Sequence, residues 1–268
     1  MRVLGILLVI LLFGFELKAE SAQLQSAEAL YHAGIRSHQA GDLNSAQQYF
    51  MKLVQDQPDN KFALFNWGLV EYELGNKGLA LAAWRRAINQ APLFFPARQA
   101  LSFALQEWQG RLWLSSPSTW ETFRSRVLSY FSWNSLLALV ALFLALGGSL
   151  GLRFWARHQE AQELDLPRPQ LSWPAGVSAI GLVLALALLG AKAYDYRQPR
   201  ATLISQVVSV HSAPLPESSN LFNLNEGMEV ILHQRREDWA QVTFPGSVTG
   251  WVEKIHLFQT SGRRLPAP

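Results

Sequence analysis

Two long intervals contain no charged residue, and they limit the chain's fold more than any other feature. Val127 to Leu152 is a 26-residue interval between Arg126 and Arg153, and Pro169 to Ala191 is a 23-residue interval between Arg168 and Lys192. Each exceeds the ~20 apolar residues that cross a bilayer, and neither shows the polar face a soluble core helix needs. Trp133 precedes the apolar centre of the first and Trp155 follows it; Trp173 opens the apolar part of the second and Tyr194 and Tyr196 close it, the headgroup-level positions that amphipathic rings favour. We expect spans over 133–152 and 171–193, joined by a short loop at 153–170.

A third apolar run, Val3 to Phe15, follows Met1-Arg2 and turns polar at Glu16-Leu17-Lys18-Ala19. It covers only ~20 Å as a helix, short of the ~30 Å hydrocarbon core, and reads as a signal peptide over 1–19. Basic residues flank both spans on both sides, so their count does not set orientation. The signal does. It sends the next segment out, the first span returns the chain, and the second sends the C-terminal part out again.

Charge and composition remove several classes of function. Residues 20–110 carry 7 basic and 8 acidic side chains, and residues 192–268 carry 8 and 7, so no basic face exists for nucleic acid. The chain has no cysteine, which excludes disulfides, thiol nucleophiles and Cys-ligated zinc. We find no Gly-x-Ser-x-Gly elbow, phosphate-binding glycine loop or His-Glu-x-x-His helix. His32 and His38 stand six apart, on different helix faces. The expectation is a non-enzyme without cofactor or metal.

Between the signal and the first span the sequence repeats itself. Gly34, Gly41, Ala46, Phe50, Leu53 and Pro58 recur 34 residues later as Gly68, Gly75, Ala80, Trp84, Ala87 and Pro92. Small residues let paired helices approach, the second glycine of each set makes the turn between them, and proline stops the second helix. The period and residue types resemble the tetratricopeptide (TPR) repeat. The resemblance implies an α-solenoid of two repeats over 24–108, with a capping helix from Pro96 to Trp108. It also implies a concave partner-binding face carrying Tyr31, Ile35, His38, Phe62, Phe65, Asn66, Leu69 and Tyr72. Tyr31 and Ile35 stand where a carboxylate clamp would need Lys and Asn, so an apolar or aromatic-rich ligand is expected. Solenoid packing is the competing role for each of these side chains.

Residues 109–132, with Trp113 and Trp120, read as an amphipathic linker along the membrane surface or as an ordinary connection. From Ala201 the period changes to two. Short strand-like runs at 202–210, 228–232, 239–244 and 250–252 are separated by Pro214, Pro216, Asn225-Glu226-Gly227 and Pro245-Gly246. Their order resembles a bacterial SH3 domain over 201–260, a small barrel, followed by a disordered tail at 261–268. Ser209-Val210-His211 and Ala213-Pro214 stand where that family carries Asn-x-Arg and Gly-Pro. Trp239 is its candidate groove residue, with core packing the favoured alternative.

The whole succession is similar to the BatE-type proteins of the bacterial aerotolerance operon. That resemblance implies a scaffold in the bacterial inner membrane, two-pass, with both flanking domains periplasmic. Its implied partners are membrane proteins carrying von Willebrand A-type domains. Two rival readings stand beside it: a cell-wall sensor whose SH3 domain binds peptidoglycan peptides, and a regulatory subunit of a membrane enzyme.

Overall fold

A computed structural model of the chain describes residues 24–108, 119–164, 167, 170, 172–244 and 249–262. The signal segment, Trp113 and the end of the tail lie outside the described residues. Five helices form the first layer: α1 at 24–39, α2 Leu43–Asp56, α3 Lys61–Glu73, α4 Lys77–Gln90 and α5 Phe95–Trp108. Gly41 and Gly75 close the turns inside each pair with φ of 77° and 88°. The Asp42 side chain caps α2 by accepting from the Ser45 amide at 3.1 Å, and Asn60 caps α3 by accepting from the Phe62 and Ala63 amides.

The repeat is a packing repeat. A methyl at Gly34 would lie 2.7 Å from the Phe50 ring, and one at Gly68 would overlap the Trp84 indole. Each glycine therefore leaves room for the aromatic 16 positions on, and Ala46 and Ala80 are fully buried beside them. The Trp84 indole also donates to the Phe65 carbonyl at 3.1 Å. α5 buries Ala97 and Ala104 against the end of the array.

Helix α6, Thr119–Arg126, and a 3-10 turn, Leu128–Tyr130, lead into α7, Trp133–Glu163, which packs antiparallel to α8, Trp173–Tyr196. Both are long and apolar enough to span a bilayer, and only 6% and 11% of their most apolar windows are buried, which separates them from soluble core helices. Gly181 admits the Phe143 ring, and the Ser178 hydroxyl donates to the Phe143 carbonyl at 3.1 Å. α7 continues beyond the expected end at Leu152 to Glu163, so most of the expected 153–170 loop is helical. Its 31 residues extend ~46 Å, more than the hydrocarbon core requires.

The C-terminal part holds more strands than the sequence suggested. They are β1 Arg200–Leu203, β2 Val207–His211, β3 Asn220–Asn225, β4 Glu229–Arg236, β5 Trp239–Thr243, β6 Thr249–Glu253 and β7 Leu257–Ser261. They form one antiparallel sheet of seven strands in the order β3-β2-β6-β5-β4-β1-β7, which does not close. Closure as an SH3-like barrel was the expectation. Among the described residues, β3 and β7 instead remain as edges. The β7 carbonyl of Thr260 accepts from the Asn89 side chain at 3.0 Å, so a helix covers this edge where a further strand would lie.

That helix is α4. Gly78, Ala82, Arg85 and Asn89 recur along one of its faces at helical spacing. The Gly78 amide donates to Glu226 at 3.1 Å, and Arg85 donates to the Thr202 hydroxyl and the Gly227 carbonyl, both at 2.8 Å. Trp67 meets Phe258 with ring centres 5.8 Å apart. Covered by α4 on one side and the sheet core on the other, all four residues of β1 are buried.

Candidate partner-binding face

The expected concave-face residues lie on α1 and α3, and many are bridged to the next first helix along the array. Asn66 donates to the Tyr31 hydroxyl at 3.3 Å and to the Phe62 carbonyl at 2.8 Å. His38 Nε2 lies 3.0 Å from the Glu73 carboxylate. Tyr72 donates to Glu107 on α5, and Lys77 pairs with the same carboxylate at 3.1 Å. Burial first, and then this bond to Glu107, push the Tyr72 phenol up to about 12. Ile35, Phe65 and Leu69 are half-buried against the solenoid core. These contacts set the curvature of the face and use much of its hydrogen-bonding capacity.

Phe62 is different. It is 49% exposed, with its ring edge-on to Phe94 and the Lys61 ammonium 5.0 Å from its centre. Phe62 and Tyr31 line a groove of about 390 Å³ together with Leu24, Ala27, Leu53 and Gln57. A groove of this size holds one or two apolar side chains and presents the Tyr31 ring at its wall. Leu53 was singled out from the sequence only as a repeat position, and Leu24 and Ala27 not at all, although their apolar character at the open edge of the first helix pair was a usable signal.

Trp239, the groove candidate in the C-terminal sheet, is 7% exposed and meets His211 edge-on at 5.2 Å. Little of its surface faces solvent. The sheet also brings together three polar groups that the sequence leaves scattered. Ser205 Oγ is 2.8 Å from His256 Nδ1, while His256 Nε2 is 3.8 Å from Glu253. The second distance is beyond hydrogen-bond reach.

A buried charge cluster joins α6, α8 and the sheet. Arg124 on α6 contacts Glu121 at 3.0 Å and Glu229 at 2.7 Å, with Asp195 at 4.0 Å. Arg200, fully buried on β1, contacts Glu121 at 2.7 Å and lies 3.8 Å from Asp195. Burial alone would raise Glu229; the neighbouring Arg124, Arg85 and Arg200 overturn that and hold it at about 2. Trp120 packs against Tyr194 with ring centres 5.1 Å apart. The described part of the expected linker is thus a wedge between α8 and the sheet.

Residues 62–93 match the tetratricopeptide repeat family model, which covers the second helix pair. No curated protein matches the chain significantly, nor does any solved structure. The repeat match supports a role in protein–protein interaction.

Proposed function

We propose that the chain is a non-enzymatic membrane-anchored scaffold that uses its helical repeats to hold a partner protein beside the bilayer. The observation that carries this reading is the join between modules. α4, α6, α8, β1 and β4 meet at one buried set of ion pairs and hydrogen bonds, so the repeats are held to the hairpin through Arg124 and Arg85. A catalytic domain tethered only for localisation has no need of such rigidity; a scaffold whose groove must stand at a fixed height does.

The partner class follows from the resemblance: a bacterial aerotolerance-type complex at the inner membrane, including proteins with von Willebrand A-type domains. In this reading the repeats and the SH3-like sheet are periplasmic, and the groove at Tyr31 and Phe62 takes an apolar segment of the partner. Site-specific photo-crosslinking in cells tests it. A photoreactive phenylalanine analogue at Phe62 should crosslink to an integral membrane protein, while the same analogue at exposed Tyr49 on α2 should not. Equal crosslinking at both sites, or none at Phe62, overturns the proposal. Retention of the full chain on isolated sacculi without a crosslinked protein favours the peptidoglycan-binding alternative.

A further inference from the structure

The turn after α4 and the first residues of α5 read Pro92-Leu93-Phe94-Phe95-Pro96, and the Leu93 and Phe95 side chains are open. Leu93 is 64% exposed and Phe95 62%. Turns exposed to water ordinarily carry Gly, Asn, Asp or Ser. Two large apolar residues held between prolines at such a tip call for a surrounding other than water.

The position of the turn identifies that surrounding. Arg98 Nε donates to the Pro92 carbonyl at 2.6 Å and Nη2 to the Ser129 carbonyl, and its guanidinium stacks 4.1 Å from the Tyr130 ring centre. Ser129 and Tyr130 form the 3-10 turn that enters α7 at Trp133, so Arg98 ties the α4–α5 turn to the start of the first span. A second contact is at the same level. A cavity of about 670 Å³ is walled by Asp59 before α3 and Gln90 at the end of α4, by Trp133, Lys192 and Tyr196 from the hairpin, and by Gln259 to Gly262 at the end of the sheet. Trp133 and Tyr196 meet edge-on at 6.0 Å, which brings the outer ends of α7 and α8 together. The solenoid therefore stands with its loop ends toward the level where the spans leave the hydrocarbon. Lys61, Arg98, Tyr130 and Trp133 supply the basic and aromatic groups typical of the membrane interface.

We propose that the α4–α5 turn is a membrane-contact wedge, with Leu93 and Phe95 inserted at the boundary between lipid headgroups and acyl chains. The proposal rests on the reading of α7 and α8 as spans. It gives the repeats a contact with the bilayer besides the hairpin and sets the tilt at which the partner groove is presented. Lipid is favoured over a protein occupant because the turn is fixed beside residues that enter the membrane.

The absence of native cysteine permits a direct test. Full-length Phe95→Cys, Leu93→Cys, Tyr49→Cys and Leu142→Cys proteins, each labelled with an environment-sensitive nitrobenzoxadiazole dye, are reconstituted in vesicles. Some vesicles contain nitroxide-labelled lipids with the nitroxide near the headgroup, others near the chain end. Dyes at 95 and 93 should emit to the blue and lose emission to the shallow nitroxide, the dye at 142 to the deep one, and the dye at 49 to neither. Quenching at 142 with none at 93 or 95 overturns the wedge and leaves the spans standing. Blue-shifted but unquenched emission at 95 overturns it in favour of a protein contact or a second copy. Absence of quenching at 142 overturns the spans and the wedge together.

Discussion

At the scale of single residues, the sensitive positions include glycines that admit an aromatic ring and a carboxylate buried among arginines. An alanine in an exposed helix is ordinarily worth up to ~1 kcal/mol over glycine. At Gly68 the sign reverses, because the new methyl overlaps the Trp84 indole that is anchored to the Phe65 carbonyl. Gly68→Ala should destabilise the repeats by about 1–3 kcal/mol, read from denaturant unfolding followed by tryptophan emission. Gly148→Ala has nothing within contact distance and should leave the same transition unchanged. Glu229 is the charge counterpart. Its carboxyl falls from an ordinary 4.5 to about 2 in the fold, so its stabilisation is complete above 4.5 and lost as pH falls through about 2. Glu229→Gln should cost roughly 3 kcal/mol at neutral pH. It should also flatten the acid-side loss of stability between 4.5 and about 2; an unchanged acid limb would show that Glu229 is not the group being titrated. The repeated glycines were legible because their spacing was regular. The cluster around Glu229 was not, since Arg85, Asp195 and Arg200 come from three separate elements and the Glu121–Arg124 pair from a fourth, and only that last pair stands at a helical spacing.

At the scale of elements, α4 has two tasks. One side packs Ala80, Trp84 and Ala87 into the solenoid, as the 34-residue period required. The other side carries Gly78, Ala82, Arg85 and Asn89, a small and polar stripe that seats β1 and β7. A stripe of that composition looks like an ordinary solvent face, which is why the docking of the sheet could not be read from sequence. The sheet is also wider than the four strand-like runs apparent in the sequence. β1 and β2 were read together as the single run 202–210, and the all-buried pattern of β1 lacks the alternation that marks a strand open on one side. Gly78 is the sensitive point, since a methyl there would lie 2.8 Å from the Leu203 carbonyl, which belongs to backbone and cannot swing aside. Gly78→Val should loosen the sheet from α4 while sparing the hairpin. Hydrogen exchange should accelerate in β1 and β7 and stay unchanged in α7 and α8. Equal acceleration everywhere would mean global unfolding instead. The first helices were legible to a similar partial degree: the TPR register assigned Tyr31, Ile35 and His38 to α1 and Phe62 to Tyr72 to α3, where they lie. It could not show that Tyr31, His38 and Tyr72 are hydrogen-bonded along the array while Phe62 stands open.

At the scale of the whole molecule, the antiparallel hairpin and the buried cluster together dictate sidedness. α6 reaches both Glu229 in the sheet and Asp195 near the end of α8, while α4 holds the sheet directly, so the repeats and the sheet must share one side of any membrane the hairpin crosses. The opposite end of the hairpin, at Glu163 and Trp173, has no such tether to either module among the described residues. This argument is independent of the signal segment and of the ambiguous count of basic residues; it fixes which parts lie together but not which side they face. Single cysteines at Gln48 in α2, Gln159 in α7 and Glu217 between β2 and β3 all stand at exposed positions in a cysteine-free background. A membrane-impermeant maleimide on intact spheroplasts should therefore label 48 and 217 together and treat 159 oppositely. Labelling of 48 and 217 alone places the groove outside the cytoplasm and fits an envelope scaffold. Labelling of 159 alone keeps the same-side rule but reverses the orientation, which moves the partner search into the cytoplasm. A split between 48 and 217 would contradict the joined architecture itself, because the Arg85 and Arg124 contacts cannot form across a bilayer.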